Sequence, residues 1–410
     1  MESDSLLRVL GCGLCHAGLP APRSTIAPEL EAGVIRDPDH VWARLRPDSV
    51  PHPDFHLDAR EAVALARFLG ADPARASART AREAARLDGE YTPADGGRLF
   101  DAFNCSACHA RLAVTPRLNG PSLAIEGARV RPDWLRSFLR APHSVRPFGV
   151  RPGDGGRMPT FALRDEELDS ITSVLLEGAP ALPSFVPTAL SAFETRKTEN
   201  VMRDRLSCMG CHELDGRGGR IGPDLTAAGA RLDAVYVRAI LSDPSHVAPA
   251  AIMPATLAPD GTLDAIASAL AARTTTTPTE SDRAGYLSPL DHAISIDTQP
   301  TATDGAARYA SLCAACHGAG AGDGYNAAFL RERPADHTDA GMMATRTDDR
   351  LYDAIAAGAR FLDGSPDMPG FGSLLSPDDI RALVRHLRDL CDCTQPDWAG
   401  DGAVPARSSR

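Results

Sequence analysis

Four copies of Cys-x-x-Cys-His punctuate a chain of 410 residues: Cys12-Cys15-His16, Cys105-Cys108-His109, Cys208-Cys211-His212 and Cys313-Cys316-His317. Their starts lie 93, 103 and 105 residues apart, and they absorb eight of the ten cysteines. A pattern this specific, recurring at a nearly fixed period, is the mark of a repeated structural unit. The chain is therefore read as four copies of one small fold.

More than the motif is repeated. A short helical pattern leads into the first cysteine at residues 5–10, 96–103, 200–206 and 305–312. Pro28, Pro121 and Pro223 follow the histidine by 11 or 12 residues, twice within Gly-Pro-x-Leu (Gly120 to Leu123 and Gly222 to Leu225); in the fourth unit Pro334 comes later, after a Gly-rich insertion. Middle helices are clearest at 132–139 and 350–357. Met-Pro pairs stand at Met158-Pro159, Met253-Pro254 and Met368-Pro369, and each unit closes with a helix. The last of these has a clear start signal: Ser376 as N-cap, Pro377 at the first helical position, then Asp378 and Asp379 before Ile380, Leu383, Val384 and Leu387. No stretch sustains a period-2 strand pattern.

The expected fold is all-α, with four tandem helical modules over 1–72, 93–180, 199–273 and 304–395. Residues 73–92, 181–198 and 274–303 read as linkers, and 396–410 as a disordered tail. Tyr, Phe and Trp make up only 5% of the chain, which is thin for separate cores and points to a cofactor within each.

The motif itself says which cofactor. Two thiols three residues apart at a helix end face the same side and can add to the two vinyl groups of haem, while the next histidine points its imidazole at the iron. Zinc would need a second ligand pair that no unit offers. A thioredoxin-like redox pair would be expected beside a βαβ pattern, which is absent. A structural disulfide remains the plain alternative. Haem c, four groups covalently attached through Cys12, Cys15, Cys105, Cys108, Cys208, Cys211, Cys313 and Cys316, is the reading adopted.

The units resemble class I cytochrome c domains: leading helix, Cys-x-x-Cys-His, Gly-Pro-x-Leu, helix, Met-Pro and closing helix. The fourth, with Cys316-His317-Gly318, Gly322-Asp323-Gly324 and Met368-Pro369, is most similar to cytochrome c modules of respiratory chains. The resemblance implies electron transfer. It implies that His16, His109, His212 and His317 are proximal ligands and that Met158, Met253 and Met368 are the opposite axial ligands. It also implies that the proline carbonyl after the motif accepts the other imidazole N–H, with Pro121 and Pro223 matching better than Pro28 and Pro334. Met202 and Met209 lie before or within a motif and do not reach around the ring; Met342 and Met343 do not precede Pro.

Unit one departs from this pattern, because no Met lies between His16 and the second motif at Cys105. His52-Pro53-Asp54-Phe55-His56-Leu57 aligns with Met158-Pro159-Thr160-Phe161-Ala162-Leu163, so His52 stands where the Met should. His52 is the expected ligand; a vacant position, His40 and His56 are the other readings. His143, His246, His292 and His386 have no such support and read as surface or supporting residues. Cys391 and Cys393 are either disulfide-bonded, to each other or across chains, or free thiols.

Three functions fit. The first is a carrier of electrons in a respiratory-type chain, as a periplasmic shuttle or an electron-transfer subunit, and not itself an enzyme. The second is a haem enzyme such as a peroxidase, with an open haem in unit one. The third is the haem portion of a dehydrogenase complex. A formal net charge of −11 argues against nucleic acid and for redox partners with a basic docking face. No segment has the roughly 18–20 apolar residues of a membrane span. Covalent haem attachment implies a periplasmic or extracytoplasmic location, yet residues 1–11 carry no export signal. The expectation is that upstream sequence is missing from this chain, with room on it for an anchor.

Overall fold

The computed structural model describes residues 122–143, 158–161, 163–177, 179–248, 251–275, 305–362 and 364–399, with positions 34, 35, 70, 71, 97, 100, 105 and 145. Cys12, Cys15, His16 and His52 of unit one lie outside the described residues, as do Cys108 and His109 of unit two. The linkers at 73–92 and 276–303 also fall outside. Of unit one there is only the parallel pairing of Val34–Ile35 (β1) with Gly70–Ala71 (β2).

Three helices are described in unit two. The one-turn helix Glu126–Arg129 (α1) leads into Pro132–Arg140 (α2), which has Pro at its start, Asp133 in its first turn and Arg140 in its last. Asp165–Leu176 (α3) closes the unit. Its first turn is acidic, and the Glu167 carboxylate accepts the Arg164 backbone N–H at 2.8 Å. Leu135 and Leu139 of α2 meet Leu168, Ile171 and Leu175 of α3 in one core. The 3- and 4-residue spacings put each set on a single helix face, and each full burial contributes about 1.5–3 kcal/mol.

Unit three opens on Ala192–Asp204 (α4). Its start is a reciprocal cap in which the Ser191 hydroxyl accepts the Glu194 N–H at 3.3 Å and the Glu194 carboxylate accepts the Ser191 N–H at 2.8 Å. The single turn Cys208–Cys211 (α5) follows, then the hairpin Glu213–Leu214 (β3) with Arg217–Gly218 (β4). Asp215 and Gly216 at its tip both have positive φ, as a two-residue hairpin turn requires. Ala228–Arg231 (α6), Ala234–Ser242 (α7) and Asp260–Ala271 (α8) complete the unit. Met202, Leu214, Val237, Leu263 and Ile266 form its core.

Units two and three share a specific close approach. Gly127 in α1 lies against the Leu176 carbonyl at the end of α3, and Gly229 in α6 lies against the Ala271 carbonyl at the end of α8. A Cβ at either position would overlap that oxygen, so both crossings require glycine.

Unit four comprises Gly305–Leu312 (α9), Ala314–His317 (α10), Asp348–Ala357 (α11) and Pro377–Cys391 (α12). Thr347 caps α11 by accepting the Arg350 N–H, and Ser376 caps α12 by accepting the Asp379 N–H. Tyr309, Met343, Leu351, Ile355, Ile380, Leu383 and Leu387 pack into its core. Asp392 ends α12 in the left-handed conformation, and a disulfide joins Cys391 to Cys393. That disulfide answers the alternatives the sequence left for this pair.

The described residues are helix-rich, with only two-residue strands, in accord with an all-α fold. Two boundaries differ from expectation. The leading helix of unit three was expected over 200–206 after a linker at 181–198. It starts at Ala192, because the Ser191–Glu194 capping box supplies a start signal that the polar stretch conceals. The expected tail at 396–410 includes a 3-10 turn at Asp397–Ala399, the residues from 400 onward lying outside the description. Among the described residues no helix is long and apolar enough to cross a membrane.

Candidate functional site

Both fully described Cys-x-x-Cys-His motifs close one helical turn: the His212 N–H donates to the Cys208 carbonyl and the His317 N–H to the Cys313 carbonyl, each at 2.9 Å. That turn brings the two thiols of each motif to one side and sets the histidine just after them. Cys105, Cys208, Cys211, Cys313 and Cys316 stand outside any disulfide, and each is half-buried.

The imidazoles are held from behind. His212 Nδ1 lies 2.7 Å from the Pro223 carbonyl, and His317 Nδ1 lies 3.0 Å from the Ala335 carbonyl. A carbonyl only accepts, so Nδ1 carries the proton in both and Nε2 keeps its lone pair for a metal. Pro223 thus takes the place the sequence suggested. In unit four the acceptor is the residue after Pro334, because the Gly-rich insertion shifts the loop. Gly222 makes the first arrangement fit: a Cβ there would stand 2.7 Å from the His212 ring. Burial lowers the pKa of His317 and keeps it neutral, the form that ligates.

The thiols are in an apolar setting. Burial pushes Cys208 up to about 11 and Cys313 up to about 12. A redox-active thiol needs the opposite shift, toward thiolate. Among the described residues no three His, Cys, Asp or Glu side chains are grouped so as to hold a metal ion. These observations favour neither zinc nor a thioredoxin-like pair. Paired free thiols on one turn, followed by an imidazole with only Nε2 available, fit a covalently attached haem.

The Met positions separate. Met253 packs against the core that also includes Cys208, and Met158 against the core that includes Cys105. Met368 is half-buried outside the cluster containing Cys313, and its carbonyl accepts the Ser207 hydroxyl of unit three at 3.4 Å. Trp134 stacks on Phe138, with His143 at their edges. His246 is exposed.

Two residues close to the motifs went unmarked in the sequence. His337, three positions after Pro334, stacks on His317 with ring centroids 4.2 Å apart, and its Nδ1 lies 3.1 Å from the Tyr309 hydroxyl. Burial pulls its pKa down to about 3, so it is a neutral wall behind the ligand ring. Asn326 is completely buried between the motifs of units three and four. A polar residue in a Gly-rich loop carries no periodic signal that would have exposed it.

Residues 93–177 match the family model described as Cytochrome c, and residues 300–387 that described as Cytochrome C oxidase, cbb3-type, subunit III. No curated protein and no solved structure matches the chain. Two matched domains on one chain, each with its Cys-x-x-Cys-His motif, make this protein a c-type cytochrome with tandem cytochrome c domains.

Proposed function

We propose that the chain is a tetrahaem c-type cytochrome carrying electrons in a respiratory-type chain, as a periplasmic shuttle or as an electron-transfer subunit. The matched domains cover units two and four; the count of four rests on units one and three. Unit three repeats the glycine-on-carbonyl crossing of unit two, Gly229 on Ala271 beside Gly127 on Leu176, and this is the observation that carries the reading. It also holds its own motif with free thiols and a carbonyl-oriented His212. The protein's part is to attach, orient and shield each haem, and the haem supplies one-electron chemistry when bound.

In the proposed ligand set His16, His109, His212 and His317 are proximal. Met158, Met253 and Met368 face them in units two to four, and His52 in unit one. A basic partner surface complements the acidic chain. Mass spectrometry of the native protein after full maturation tests the proposal. Four covalent haem additions are expected, and fewer would refute the count.

A further inference from the structure

Units three and four meet at their haem-attachment turns. Gly210, inside the Cys208–Cys211 turn, lies so close to the Asp367 carbonyl that a Cβ would overlap it. Arg331 fastens the rim, donating to the Asp367 carboxylate at 2.8 Å, to Asp204 at 3.1 Å and to the Arg203 carbonyl at 2.6 Å. Arg220 pairs with the buried Glu213 at 3.2 Å and lies 4.3 Å from the centroid of the Phe329 ring.

Asn326 sits at the centre of this contact and uses its whole amide. Its Oδ1 accepts the Arg220 backbone N–H at 2.8 Å. Its Nδ2 donates to the Gly210 carbonyl at 3.0 Å and to Cys316 Sγ at 3.3 Å. The Gly210 carbonyl is bonded to the Cys211 nitrogen. One amide nitrogen thus links the backbone of one attachment cysteine to the sulfur of the other.

We infer that Asn326 is a positioning residue that couples the haem sites of units three and four, locking the Cys211 and Cys316 attachment points together so that electrons pass directly between them. This rests on the tetrahaem reading above. The exchange moves one electron: one iron goes from ferrous to ferric as the other goes from ferric to ferrous. No bond is made or broken, and no proton is needed.

The test uses the full-length protein with its haem count first confirmed by mass, so that a failure of haem loading is told apart from a failure of coupling. Asn326→Leu keeps the branched skeleton and removes all three hydrogen bonds; Asn326→Asp keeps the acceptor for Arg220 and removes both donors. Electron equilibration between the two haems is followed after rapid photoreduction, with the midpoint potentials measured alongside. Both variants are expected to slow equilibration several-fold while the potentials and the haem spectra stay in place, a pattern that a merely structural role would not give. Unchanged equilibration in a loaded variant whose Arg220 amide has lost its hydrogen-exchange protection would overturn the proposal. Should the variants not mature, pulsed electron paramagnetic resonance on the wild-type oxidised protein decides. Short-range dipolar coupling between two of the irons is expected, and four magnetically isolated irons would overturn the inference.

Discussion

Val130 and Leu232 face each other in an antiparallel bridge, and they occupy equivalent places, 102 residues apart, in successive units. The hydrogen bonds around the bridge are reciprocal: the Arg131 N–H donates to the Arg231 carbonyl and the Asp233 N–H to the Arg129 carbonyl, both at 2.9 Å. Side chains follow the same exchange. Arg231 of unit three lies over the Trp134 ring of unit two, and Arg129 of unit two interacts electrostatically with Tyr236 of unit three, where Tyr236 is the equivalent of Trp134. Like surfaces meeting in this way form a local two-fold interface, the arrangement two copies of one fold adopt.

The interface is symmetric in geometry but not in energy. Arg129 also pairs with Glu126, which is 1% exposed, whereas Ala228 stands at the place in unit three equivalent to Glu126. Arg129→Ala leaves a buried carboxylate uncompensated and is expected to destabilise by about 3–5 kcal/mol. Arg231→Ala loses the contact with the Trp134 ring and the hydrogen bond to the Asp224 carbonyl but orphans no buried carboxylate, and is expected to cost less, about 0.5–2 kcal/mol. Denaturant unfolding of both variants checks the ranking. Arg129→Met combined with Glu126→Gln should recover much of the loss, because it removes the orphaned charge.

Gly222→Ala addresses the proximal side of unit three. The added methyl would stand 2.7 Å from the His212 ring and force it off the Pro223 carbonyl. The expected outcome is a fully translated chain whose unit-three haem is either missing by mass or shows an altered ligand spectrum, with the other units unaffected. A wild-type spectrum and haem count would show that the loop yields instead.

Much of this architecture was legible in the sequence, for reasons that particular residues make plain. Ser376, Pro377 and Asp379 announced α12 because caps act locally, and α9 over 305–312 follows the same amphipathic logic. Pro223 was legible as the partner of His212 because the spacing from the motif is short. Ser191 was passed over because its helix begins with a polar face, where periodicity is weak. The contacts among units were not legible at all. Asn326 on Gly210 and Arg331 on Asp204 join residues more than a hundred positions apart, and neither member carries a local pattern. His337 was hidden by the loop insertion that also moved the His317 acceptor from Pro334 to Ala335.

Met253 and Met209 offer a matched comparison, since both pack in the core of unit three but only Met253 precedes Pro at the expected place. Met253→Ala is expected to turn one haem high-spin or ligand-accessible and to lower its potential, because a thioether favours the reduced iron. Met209→Ala, which removes a 5%-exposed side chain, should cost about 2–5 kcal/mol of stability and leave the ligand spectrum unchanged. Equal spectra for the two variants would remove Met253 from the ligand set.

The last expectation concerns His52, which lies outside the described residues and rests on the alignment of 52–57 with 158–163. Imidazole is a stronger donor than a thioether to ferric iron, so a His16/His52 pair should give the lowest potential of the four centres. That site would then face the electron donor, with units two to four leading toward the acceptor. His52→Met is expected to raise one potential and leave three alone. Carbon monoxide supplies the opposing test on the wild-type protein. If one haem binds it as readily as an open site does, His52 is not a ligand, and an open haem in unit one brings the peroxidase reading forward for that unit.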